Sequence, residues 1–150
     1  MPPVASTGVR THPMSIPSDL IQAIESARAA EKSQALFYRA LAAEAEERGD
    51  AALSERFNDL HADEQHHLSR LSVRLMELGA SPAELGGTRA DVVGIAGWEP
   101  VARAREEAEV RRYEAMLEGA LDEPTAALVR EILDTERHHA EELGGKWTAA

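Results

Sequence analysis

The sequence predicts an all-α domain, an antiparallel four-helix bundle built from two helical hairpins joined by a long crossover. Three observations lead there. Apolar residues recur in steps of three and four through four segments. Glycines or capping residues punctuate those segments at 49–50, 79, 122 and 144–145. The two halves also repeat one pattern: Glu64-Gln65-His66-His67 returns 72 residues later as Glu136-Arg137-His138-His139.

Residues 1–17 carry four prolines and a glycine among few apolar residues, and a disordered tail is expected there. Ser18 reads as an N-cap with Asp19 in the first turn, opening a helix that runs to Gly49. Its inward positions are Leu20, Ile24, Ala27, Glu31, Tyr38, Leu41 and Ala45. Asp50 starts the second helix, whose stripe is Phe57, Leu60, Glu64, His67, Leu71, Leu75 and Leu78, ending at Gly79. A glutamate and a histidine therefore occupy core positions. Residues 79–100 hold two prolines and five glycines and read as the crossover, with the apolar run 92–96 laid across the bundle. The third helix is expected from Val101 to Leu121, with Ala102, Glu106, Glu109, Tyr113, Met116 and Ala120 inward. Asp122 and Pro124 make a cap and first turn for the fourth. It carries Val129, Ile132, Glu136, His139 and Leu143 to Gly144-Gly145. The bundle thus covers 18–145, with 146–150 a short tail.

With 150 residues the chain makes one domain with a substantial core. No apolar run is long enough to span a membrane, and the first residues lack a signal-peptide core, so a cytoplasmic location is expected. Cysteine is absent, which excludes disulfides, thiolate nucleophiles and cysteine-ligated iron centres. The 27 acidic residues against 16 basic ones give a charge of −11, which disfavours nucleic acid and favours cations.

In each Glu-x-x-His motif the carboxylate and the imidazole share one helical face. Another glutamate lies about 30 residues upstream of each motif, Glu31 or Glu106, and seven residues after each of those stands a tyrosine, Tyr38 or Tyr113. Four carboxylates and two imidazoles are the ligand inventory of a dinuclear metal site inside a bundle. Depth agrees. Glu31 lies 18 residues before Gly49 and Glu64 15 after it; Glu106 lies 16 before Asp122 and Glu136 14 after. At about 1.5 Å per residue, each pair is level to within about 5 Å. Four glutamates and two divalent ions cancel in charge, whereas without metal the buried carboxylates repel and hold protons.

His67 and His139 both stand three residues after a glutamate and are taken as ligands. His66 follows Asp63 and His138 follows Thr135 at that spacing, so only the first choice matches in both halves, and His66 and His138 are read as outward or outer-shell. His61 has no basic or acidic counterpart in the second half, where Leu133 stands, and is read as surface or outer-shell. Tyr38 and Tyr113, two turns from Glu31 and Glu106, are placed to hydrogen-bond ligand carboxylates across the site. Trp98 and Trp147 are packing anchors. Carboxylate and imidazole ligands suit iron, and also manganese or zinc.

Glu31-Lys32-Ser33-Gln34-Ala35 leading to Tyr38, with the two Glu-x-x-His motifs, resembles the ferritin-like diiron superfamily, and within it the rubrerythrins, over roughly residues 18–145. The resemblance implies that Glu31, Glu64, His67, Glu106, Glu136 and His139 bind two iron ions cycling between Fe2+ and Fe3+. Rubrerythrins carry a further glutamate one turn beyond the first ligand of the third helix, and Glu109 has that spacing, which implies a ligand exchanging with a histidine when iron changes oxidation state. Rubrerythrins commonly carry a four-cysteine rubredoxin domain. This chain has no cysteine, so electrons are expected from a separate donor protein. Bacterioferritins share the six ligands, but Gln65 replaces their haem methionine and 11 residues follow His139, so neither haem nor cage assembly is expected.

The leading expectation is a diiron peroxidase that reduces hydrogen peroxide. A ferroxidase that oxidises Fe2+ with O2 and handles iron is the alternative, followed by a diiron oxygenase and a metal-free structural bundle. The expected assembly is a homodimer through an apolar helix face, with exchange of a hairpin allowed by the long crossover.

Overall fold

The computed structural model describes residues 12–91 and 93–145, with side chains from Ser18 onward. Four helices form the bundle: α1 (His12–Glu47), α2 (Ala51–Glu77), α3 (Trp98–Leu117) and α4 (Glu123–Glu142). None of them is long and apolar enough to cross a membrane. α1 packs along α2 and α3 along α4, while α1 meets α3 and α2 meets α4 across the hairpins. The cross-hairpin contacts pair rising with falling residue numbers, Tyr38 with Glu106 and Glu31 with Tyr113, so α1 and α3 are antiparallel.

Two glycines, one closing the first hairpin and one opening the crossover, end their helices by a left-handed turn. Gly49 (φ +71°) and Gly79 (φ +84°) each sit where the following N–H reaches back five residues: Asp50 N–H to the Ala45 carbonyl at 2.9 Å, and Ala80 N–H to Leu75 at 2.9 Å. Asp50 then caps α2, accepting the Leu53 N–H at 3.1 Å.

Several boundaries differ from the sequence reading. α1 starts at His12, so Ser18 lies inside it and is not a cap. Pro13 falls in the first turn, where its missing N–H leaves nothing unpaired, and Pro17 removes one bond without ending the helix. Residues 1–11 of the expected tail, the 146–150 segment with Trp147, and Val92 lie outside the described residues. α3 starts at Trp98, with Pro100 in its first turn, after Gly97 enters at φ +75°. It stops at Leu117, which leaves Ala120 exposed, and Leu78 and Met116 are only half-buried. Asp122 occupies the N-cap of α4, yet its side chain makes no capping bond and instead accepts from Arg74 at 2.7 Å.

The crossover lies along α1. Near one end the Ala83 N–H donates to Glu25 (2.8 Å) and its carbonyl accepts from Arg28 (3.2 Å); near the other the Ile95 N–H donates to Glu44 (3.3 Å). Val93 and Ile95 pack on the core, and Trp98 meets Phe57 edge-on with centroids 4.6 Å apart. The core comprises two apolar clusters. One gathers Leu20, Ile24, Leu71, Leu75, Val129 and Ile132; the other gathers Phe37, Leu41, Phe57, Leu60, Trp98 and Leu143. Burial of this kind stabilises by about 25 cal/mol per Å² of apolar surface. Between the two clusters lies a layer of buried charge.

Candidate metal centre

Each helix contributes to that layer, α4 from its last two turns. α1 brings Glu31, α2 Glu64 and His67, α3 Glu106, and α4 Glu136 and His139, all six buried. On α2 and α4 the glutamate and histidine are one turn apart, so both project inward from the same stripe. The side chains fall into two overlapping sets. One ligand atom each from Glu31, Glu64, His67 and Glu136 lie within 4.8 Å of one another, and the same holds for Glu64, Glu106, Glu136 and His139. Glu64 and Glu136 belong to both sets, so they stand between two positions, with one carboxylate and one imidazole on either side.

The Nδ1 of His67 lies 3.3 Å from Glu64, 3.4 Å from Glu31 and 3.7 Å from Glu136. The Nδ1 of His139 lies 3.1 Å from Glu136, 3.5 Å from Glu106 and 3.8 Å from Glu64. Several inward-facing atoms have no hydrogen-bond partner: one oxygen each of Glu31, Glu106 and Glu136, both oxygens of Glu64, and Nδ1 of His67. Buried polar atoms left unpaired are costly, and these converge where a cation would satisfy them together. The donor set fits two divalent ions in number, charge and type.

Protons stand in where no cation compensates the charge. Burial, then Glu136, pushes Glu31 up to about 6. Burial and the surrounding carboxylates push Glu64 well above the ordinary range. Burial also pushes Glu106 upward, but His139 and Tyr38 outweigh it and hold Glu106 below its usual value. For the imidazoles burial opposes charge, and the carboxylates around them win: His67 rises to about 9 and His139 to about 11.

The two tyrosines cross the repeat. Tyr38 on α1 donates to Glu106 on α3 at 2.6 Å, and Tyr113 on α3 donates to Glu31 on α1 at 2.6 Å. Burial first, then the carboxylate each one faces, pushes both phenols well above their usual range, so both keep the proton they donate. Tyr38→Phe strands a buried carboxylate oxygen. We expect a loss of about 1.5–3 kcal/mol in the metal-free protein, read by urea unfolding, and a similar loss for Tyr113→Phe.

Glu109 is buried too, but it belongs to neither set. Burial first, then Glu31, raises it to about 8, and one of its oxygens is unpaired. It therefore stands at the edge of the cluster, 3.6 Å from Arg112. His66 and His138 are exposed and point away. His61 is half-buried with its Nδ1 2.9 Å from the Ala35 carbonyl, tying α2 to α1.

Asp63 plays a part that sequence reasoning missed. In the sequence it stands three residues before His66 on its own helix, yet its carboxylate lies 2.9 Å from Nε2 of His139 on α4. The only signal was its place directly before Glu64, and its use depends on the register of α2 against α4.

This architecture recurs in solved structures. The bacterioferritin of Desulfovibrio desulfuricans, whose structure describes a diiron site in different catalytic states, superposes with a TM-score of 0.79 at 20% identity over 86% of this chain and 78% of that one. A ferritin-like diiron-carboxylate protein from Bacillus anthracis superposes with a TM-score of 0.67 at 25% identity over 85% of this chain and 94% of that one. The fold is ferritin-like. No family model matches the sequence, and no curated protein shows significant sequence similarity to it.

Proposed function

We propose that this chain is a diiron oxidoreductase that reduces hydrogen peroxide with electrons from a separate donor protein. The observation that carries the reading is the overlap of the two ligand sets at Glu64 and Glu136. Glu31 and His67 would hold one ion and Glu106 and His139 the other, with Glu64 and Glu136 available to both. The diiron chemistry named for both structural neighbours supports iron over manganese or zinc. Two bound irons, each changing by one electron, would supply the electron pair that reduction of hydrogen peroxide to two waters requires, with two protons.

The chain's own residues orient the site and hold protons. Tyr38 and Tyr113 fix one oxygen each of Glu106 and Glu31, which leaves the other oxygen of each free to face a cation. Glu109, buried at the edge of the cluster with one oxygen unpaired, is placed to hold a proton and deliver it. Its position also supports a role as a seventh, exchangeable ligand, which favours the rubrerythrin-like reading. The working assembly in this reading is a homodimer.

The likeness to a bacterioferritin favours a second reading, a ferroxidase that oxidises Fe2+ with O2. Stopped-flow mixing separates the two. Protein loaded anaerobically with Fe2+ is mixed with one equivalent of H2O2 or with O2, and the absorption of the oxidised centre is followed. We expect rapid oxidation by peroxide and slow oxidation by O2. Fast oxidation by O2, repeated on each fresh addition of Fe2+, would transfer the assignment to a ferroxidase.

A further inference from the structure

The repeat is symmetric in its six inward-facing candidate ligands but not in what stands behind them. Nε2 of His139, the nitrogen turned away from the cluster, lies 2.9 Å from the Asp63 carboxylate. That bond places the Nε2 proton toward Asp63 and leaves Nδ1 to face the cluster. A carboxylate behind an imidazole also makes the imidazole a stronger donor to a metal. The same antiparallel register, marked further along by Arg70 and Glu131 at 2.8 Å, sets Thr135 level with His67. Thr135 is the repeat counterpart of Asp63, and its hydroxyl donates to the Glu131 carbonyl at 3.3 Å on its own helix. Among the described residues, none is within hydrogen-bond reach of Nε2 of His67.

We infer that the two metal positions are unequal: the one at Glu106 and His139, backed by Asp63, binds more tightly and fills first, and the one at Glu31 and His67 fills second. The inference rests on the dinuclear reading above. Asp63 acts through His139 as a positioning residue. Its side chain is half-exposed (52%), so it can be replaced without opening the core.

Anaerobic titration with Co2+, followed by its visible absorption, reads the two binding steps without redox chemistry. Two ions that repel each other bind stepwise even at equal positions, so the variants decide the matter. Asp63→Ala should weaken the first step by about 10-fold, the lower end of what an outer carboxylate contributes, and leave the second within about 2-fold. Asp63→Asn, whose amide oxygen still accepts from Nε2, should restore part of the loss. Thr135→Asp should do the reverse, strengthening the second step by about 10-fold and leaving the first within about 2-fold. Equal positions give the opposite signature, in which Asp63→Ala spares the first step and weakens the second; that result, or no change in either step, overturns the inference. Failure of the parent protein to bind Co2+ would overturn the dinuclear reading along with it.

Discussion

Glutamine at position 64 or 136 abolishes tight binding of both metal ions, whereas glutamine at 31 or 106 abolishes one. Glu64 and Glu136 belong to both ligand sets, and Glu31 and Glu106 to one each. Losing a partner behind a ligand already costs about 10–100-fold in metal affinity, so losing a shared ligand should exceed about 100-fold at both positions. Stability moves the other way. Glu64 is fully buried, neither oxygen has a partner, and burial with its neighbours raises it well above the ordinary carboxylate range. A group with a raised folded pKa favours the fold while protonated and opposes it once ionised. Metal-free Glu64→Gln should therefore match the parent in acid and exceed it at pH 8. Metal titrations paired with urea unfolding at two pH values check both halves of the prediction. Loss of metal binding accompanied by lower stability at pH 8 would mean that Glu64 serves mainly to hold the bundle together.

The second large effect is the pH dependence of the metal-free protein. Glu31 is raised to about 6, Glu109 to about 8, His67 to about 9 and His139 to about 11. In every case the folded state binds a proton more tightly than the unfolded chain does. Their stabilisation is therefore complete below the unfolded values, about 4.5 for Glu and 6.5 for His, and is lost as pH rises through the folded values. The groups shifted downward, Glu106 and Asp63 among them, act below this window. The metal-free Tm should accordingly be lower at pH 9 than at pH 5, by roughly 5–10 °C for a domain of this size. Saturating divalent metal should flatten or reverse the trend, because it displaces the same protons and binds more tightly as they leave. Calorimetry across that range, with and without Co2+, decides it; a Tm that climbs with pH without metal would show that the cluster does not hold these protons.

Much of this was legible in the chain because it depends on period and spacing alone. Steps of three and four put Glu31, Tyr38, Glu64, His67, Glu106, Glu136 and His139 on inward stripes, and all are buried. Matched distances from the turns put them at one depth. Gly49 and Gly79 announced the ends of α1 and α2 because a left-handed residue is needed there. Where the reading slipped, local signals were ambiguous. Pro13 and Pro100 can precede a helix or sit in its first turn, and only the folded chain shows which. Asp122 has the chemistry of a cap, but Arg74 from another helix takes its carboxylate.

By itself, then, the sequence determined the number of helices, their inward faces and the six side chains that converge, since helical periodicity is a property of one segment at a time. The tertiary structure decided which side chains meet across helices. Tyr38 reaches Glu106 and not Glu31, Asp63 stands behind His139 while Thr135 leaves His67 without a carboxylate, and Glu64 and Glu136 take the shared positions. Those pairings follow from which helices are neighbours and from their register, and register is set by packing of the two apolar clusters on either side of the charged layer.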